Sequence, residues 1–183
     1  MKPSLKTVEA FGRHYIRDIV YAANDGIITT FAVVAGVRGA GLAHTIVVVL
    51  GFANLAADGL SMAVGNYLGI KSERAAELGD GFDEASETAH AAKHGWVTWA
   101  AFVAAGVVPL LPFLGNARMG DGFQASVIVS ALALFAVGAL RTRITGRRWW
   151  SSGLEMLLVG ALAGGAAFAA GSLVEFALLG GGG

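Results

Sequence analysis

Residues 19–37 read IVYAANDGIITTFAVVAGV. This run is apolar and nearly as long as the ~20 residues a helix needs to cross a bilayer, yet Asp25 sits near its middle. A charged side chain at bilayer depth costs about 2.5–3.5 kcal/mol on insertion scales, so such residues face a bundle interior or an ion path rather than lipid. Residues 45–70 form a second apolar run with Asp58 inside it. Glycine follows both acids, in Ala-Asn-Asp-Gly-Ile and Ala-Ala-Asp-Gly-Leu, and Met62 lies one helical turn beyond Asp58. Two buried carboxylates and a thioether read first as a cation site.

The whole composition agrees with a membrane protein. Hydrophobic residues make up 55% of the chain and charged residues 14%, against about 25% charged in soluble domains; mean hydropathy is +0.64. The 13 basic and 13 acidic residues cancel, and no basic helix interleaved with aromatics appears, so nucleic acid is not an expected partner. With no cysteine, disulfides, thiolate zinc sites and iron–sulfur ligation are excluded. Any metal is then held by oxygen, imidazole or thioether.

Five segments reach spanning length, at 18–38, 44–69, 96–115, 123–141 and 153–178. Lipid tolerates no open sheet edge, so the fold class is all-α: a polytopic membrane protein with five transmembrane helices per subunit. Pro109 and Pro112 are expected to bend the third span or end it early. Residues 1–17 lack the apolar core of a signal peptide and suggest an amphipathic N-terminal helix on the membrane surface. An acidic loop fills 71–95, and residues 180–183 form a glycine tail expected to be mobile. Eleven of the 13 basic residues fall on one side of the expected membrane, all but Arg38 and Arg118. The positive-inside rule therefore puts the N-terminus in the cytoplasm and the C-terminus outside. Trp96, Trp99, Trp149 and Trp150 fit interfacial anchors at the same face. Two small-residue pairs, Gly65/Gly69 and Gly160/Gly164, let helices approach closely, either within a subunit or across a dimer seam.

Asn54, Asp58, Met62 and Asn66 recur every four residues and form a slowly rotating polar stripe on the second span. Carboxylate and amide oxygens suit hard divalent cations, and the thioether adds preference for a softer transition metal, Fe²⁺ or Mn²⁺. For Met62 the plain alternative is gap-filling in the packing; for Asn54 and Asn66 it is an interhelical hydrogen bond. The first span contributes Asn24, Asp25 and Thr29, with Thr29 one turn from Asp25 and able to bond it. Gly26 leaves room for an ion or another helix. The two Asp-Gly segments run in opposite directions, as inverted transporter repeats do. In the acidic loop, Glu73, Glu77, Asp80, Glu84 and Glu87 follow a 4, 3, 4, 3 spacing, and Asp83, Glu87 and His90 form a second set. Such sets can gather divalent metal, or simply form a solvated face. No Ser/His/Asp set, phosphate-cradling glycine loop or paired-His zinc motif is present, so an enzyme is not expected.

At these same residues the chain resembles the vacuolar iron transporter family, whose yeast branch moves iron and manganese into the vacuole. The resemblance lies in DIVYAANDGIITTFAVVAG (18–36), GFANLAADGLSMAVGNYLGIKSE (51–73) and RTRITGRRWWSSGLEMLLVG (141–160). It implies a five-helix subunit paired as a homodimer, with a path near the two-fold axis. It also implies export of Fe²⁺ from the cytosol in exchange for protons, with metal contacts at Asp25 and Met62. Two departures stand out. Better-known members carry glutamates where this chain has Asn54 and Asn66, and they hold a long helical cytoplasmic domain where this chain has about 25 residues. Asp58 restores one of the missing charges.

The expected protein is thus a homodimeric divalent transition-metal exporter, Fe²⁺ or Mn²⁺ with proton antiport, in a bacterial plasma membrane. Its partners are lipid, metal ions and protons, and no tightly bound cofactor is expected. A proton-coupled carrier of another cation, or a non-transporting metal sensor or scaffold, are the rival readings.

Overall fold

A computed structural model describes residues 5–81, 83–114 and 119–180. Every regular element among them is helical: α1 (Leu5–Gly39), α2 (His44–Leu78), α3 (Glu84–Gly106), α4 (Met119–Thr145) and α5 (Trp149–Leu179). All five are long and apolar enough to cross a membrane. This matches the spans read from hydropathy, because a chain in lipid must satisfy its backbone polar groups internally and the helix does so residue by residue.

Helix α1 is the central post and packs against all four others. Val20, Ile27 and Val34, each at most 1% exposed, mark one seam, with Ala23 and Thr30 between them and Val37 following. That alternating three- and four-residue spacing is what a helix needs to keep one face on its neighbours. Glycines set the closest approaches. A Cβ at Gly26 would lie 2.4 Å from the Phe102 carbonyl oxygen of α3, and one at Gly171 would lie 2.2 Å from the Gly36 carbonyl. By contrast α2 sits at the edge, resting mainly on α3, with Leu60, Val64 and Leu68 exposed on its outer side.

The connections depart from expectation in two places. The amphipathic segment is not set apart, because α1 runs without a break from Leu5 into the first span. Nor is 71–95 a loop: α2 continues to Leu78, α3 begins at Glu84, and only a short turn at Gly79–Gly81 and its flank joins them. The stretch KSERAAEL is rich in strong helix formers, and Gly79, at φ +51°, is what ends α2. At 35 residues α2 is about 50 Å long against a hydrocarbon core of about 30 Å, so its charged end projects beyond the apolar layer.

The third span does end early. Helix α3 stops at Gly106 and a 3₁₀ turn, Val108–Phe113, takes over with Pro109 near its start and Pro112 inside. The buried Ser126 hydroxyl of α4 donates to the Pro109 carbonyl at 2.7 Å, tying the turn down. Residues 1–4, 82, 115–118 and 181–183 lie outside the description, so the positions of Lys2 and Arg118 and most of the glycine tail do too.

Candidate metal path

Asp25 on α1 and Asp58 on α2 are both half-buried and lie near enough for their charges to interact. Acids from the two Asp-Gly motifs thus lie within electrostatic range of each other. Their glycines serve another purpose. Gly26 meets the Phe102 backbone, while a Cβ at Gly59 would lie 3.3 Å from the Phe102 and Trp99 rings. Of the two partners the sequence left open for Gly26, the helix is the one present: both glycines admit α3, which presses α1 and α2 into register around the acids.

The stripe on α2 turns inward as its spacing required: Asn54, Asp58, Met62 and Asn66 are all half-buried. Their surroundings differ. The Asn66 amide donates to the Thr98 hydroxyl of α3 at 2.7 Å, which is the interhelical hydrogen bond weighed as the plain alternative. Buried side-chain atoms of Asn24 (Oδ1) and Asn54 (Nδ2) have no partner among the described residues. A buried amide without a partner is costly; the Asn24 oxygen suits water or a hydrated cation, and the Asn54 N–H suits a water oxygen. Met62 packs partly against the cluster containing Leu55 and Phe102 and also lines a cavity. Thr29 departs from expectation. Its hydroxyl donates to the Asp25 main-chain carbonyl at 2.9 Å, not to the carboxylate, because a helical threonine reaches the carbonyl four residues back.

A cavity of about 1100 Å³ opens between α1, α2 and α3 at the end of the bundle rich in basic residues. Its inner residues are Ala22, Met62 and Thr98; its outer ones include Arg17, Glu73, Arg74 and Glu77. The cavity therefore ends about one helical turn short of Asp25 and Asp58. Two lining residues to which the sequence reading gave no role, Asp18 and His94, form a buried pair there: His94 Nδ1 lies 2.5 Å from Asp18 Oδ2. They are 76 positions apart in the chain, so no local spacing could link them.

The acidic residues at the outer end do not gather as a metal site. Glu84 pairs with Lys71 at 3.1 Å, and Arg74 pairs with Glu77 and with Glu87 at 3.5 and 3.2 Å. Glu73 faces the cavity beside His90, Asp83 flanks the start of α3, and the Asp80 side chain lies outside the description. Among the described residues no three His, Asp or Glu side chains come together closely enough to hold a metal ion. These charges instead clip α2 to α3. The glycine pairs divide as well: Gly160 and Gly164 are filled by Leu134 and Phe31 of the same subunit, while Gly65 and Gly69 have nothing within 4 Å.

Comparison with known proteins places this arrangement. The sequence model of the VIT family matches residues 16–90 and 75–172, the two stretches overlapping at the α2–α3 connection. Vacuolar iron transporter 1 of Arabidopsis thaliana is 27% identical, covering 87% of this chain and 86% of its own. The vacuolar iron transporter of Toxoplasma gondii is also 27% identical, over 88% of this chain and 74% of its own. Vacuolar iron transporter homolog 5 of Oryza sativa is 32% identical over 71% and 67%. The Arabidopsis alignment runs to 215 positions against 183 residues in the chain, so that relative carries inserted residues. These names are those of transporters, not enzymes. With the matched stretches reaching into all five helices, the chain belongs to the VIT family, as an integral multi-pass membrane protein.

Proposed function

We propose that this protein moves a divalent transition metal, Fe²⁺ or Mn²⁺, out of the cytosol in exchange for protons. The observation that carries the reading is the Asp25–Asp58 pair, held inside the bundle beyond the inner end of a polar cavity. A dication that takes the oxygens of two carboxylates displaces any proton they hold. Binding and proton release are thereby one event, which is the elementary step of an antiporter. Met62, one turn from Asp58, adds a soft donor at the cavity's inner end. The relatives' names point to iron as cargo.

The basic end of the bundle is cytoplasmic in this reading, by the positive-inside rule, and the cavity is the cytoplasmic entrance. For a bacterial chain the membrane is the plasma membrane. Two carboxylates are few for a hard dication, which takes about six ligands, and the stripe has asparagines where glutamates are common in the family. A second subunit supplies what is missing. The exposed side of α2, with Gly65 and Gly69 open and Leu60, Val64 and Leu68 beside them, suits a close helix–helix seam. The functional unit is a homodimer.

Purified protein in liposomes tests this directly. Metal flux rises when a pH gradient of the antiport sense is imposed, and protons move against the metal. Metal binding without flux would leave only a sensor or scaffold.

A further inference from the structure

One buried titratable pair has no part in the metal site. His94 is 4% exposed and bonds Asp18 across the α1–α3 contact. The Tyr15 ring stacks on the imidazole at 4.4 Å and 7°, and the His90 ring meets it edge-on at 4.9 Å. The closest approach of α1 to α3 lies elsewhere, at the Gly26, Phe102 and Gly106 backbones. A buried carboxylate–imidazole pair adds little to stability by itself, since desolvation offsets much of the attraction.

We infer that His94, oriented by Asp18, is a proton-binding site that couples metal loading at Asp25 and Asp58 to proton release. This rests on the antiport reading above and names the group that carries the proton on the cavity side. Imidazole is the side chain that changes charge between about pH 5 and 8. With Nδ1–H donated to Asp18, the second proton is gained and lost at Nε2, so the ring stays bonded to α1 in both states.

Position supplies the coupling. Asp18 and Asp25 are seven residues apart on one face of α1, about 10 Å along the helix. Asp18, His94 and Met62 line the same cavity, so the pair stands between the open mouth and the acids. A dication at Asp25 and Asp58 and an imidazolium at His94 repel each other across a partly desolvated interval, where charges are weakly screened. Metal entry expels the imidazole proton into cavity water; once the metal has left, a proton arriving from the far side by way of Asp25 and Asp58 returns to Nε2, and the protonated ring opposes return of metal to the cytosol. The other charges near the ring are accounted for. On α1, Arg17 lies over the Tyr21 ring. On α2, Glu73, Arg74 and Glu77 line the far wall, with Arg74 neutralised by Glu77 and Glu87. On α3, Lys93 is exposed and His90 is the neighbour already named.

The test uses full-length protein in liposomes with Fe²⁺ as the only metal, an entrapped metal dye and a pH dye. His94→Gln and Asp18→Asn each lower the protons moved per metal, by about the one proton an imidazole carries, and flatten the pH profile of flux. A profile and ratio unchanged in both variants, beside wild-type counterflow, would overturn this site and leave antiport intact. Wild-type flux without counterflow would overturn the antiport reading and this one with it. If a variant carries no flux, proton release on Fe²⁺ binding is measured by calorimetry in two buffers of different ionisation enthalpy. Release reduced below wild type sustains the inference, and equal release defeats it.

Discussion

Asp25 and Gly26 are neighbours in different settings, one within electrostatic range of Asp58 on α2 and the other against the α3 backbone. The glycine's task can be checked by crowding. Gly26→Ala drives a methyl to 2.4 Å from the Phe102 carbonyl, a backbone atom that cannot swing aside, and should cost about 1–3 kcal/mol. Gly165→Ala, with nothing within 4 Å, should leave the thermal midpoint in detergent unchanged. Thr29→Val offers a second check. Its hydroxyl bonds a main-chain carbonyl, so metal flux should stay near wild type; a loss as severe as that of an acid would place Thr29 on the ion after all. The acids, the stripe and the need for glycine were legible in sequence, because charge in an apolar run and four-residue spacing are local signals. The target of the Thr29 hydroxyl and the partner of Gly26 were not, since each depends on how a neighbouring backbone lies.

At the scale of elements, the five spans were readable from hydropathy alone, and so was the early end of the third span at its prolines. The α2–α3 connection was not. Its acids and glycines suggested a loop, while Lys71, Arg74, Ala75, Ala76 and Glu77 in fact carry α2 onward until Gly79 reverses φ. Arg74 then reaches both Glu77 and Glu87. The Glu77 pair is exposed but the Glu87 side chain is only 16% exposed, so Arg74→Ala should lower stability by about 1–3 kcal/mol, read as a lowered midpoint. Ala75→Pro separates helix from loop sharply. Inside a helix it costs about 3 kcal/mol or more, which would show as a lowered midpoint, whereas a flexible loop would absorb it. The His94–Asp18 pair belongs here too: it joins two elements remote in sequence, and only the helix packing reveals it.

For the whole molecule, the account joins a basic-end cavity, a buried acid pair beyond it and an open α2 face into one directional path. Its orientation is open to labelling, since the chain has no cysteine. Ser72→Cys should react with an impermeant maleimide from the cytoplasmic side and Thr45→Cys from the opposite side; the reverse pattern would invert the path. The central claim is that the Asp25–Asp58 pair binds and passes the metal, and it is tested most directly by Fe²⁺ flux into liposomes containing Asp25→Asn. The substitution keeps size and polarity while removing the charge. The account predicts a correctly assembled protein with metal flux reduced to the level of empty liposomes. Wild-type flux from that variant would contradict it.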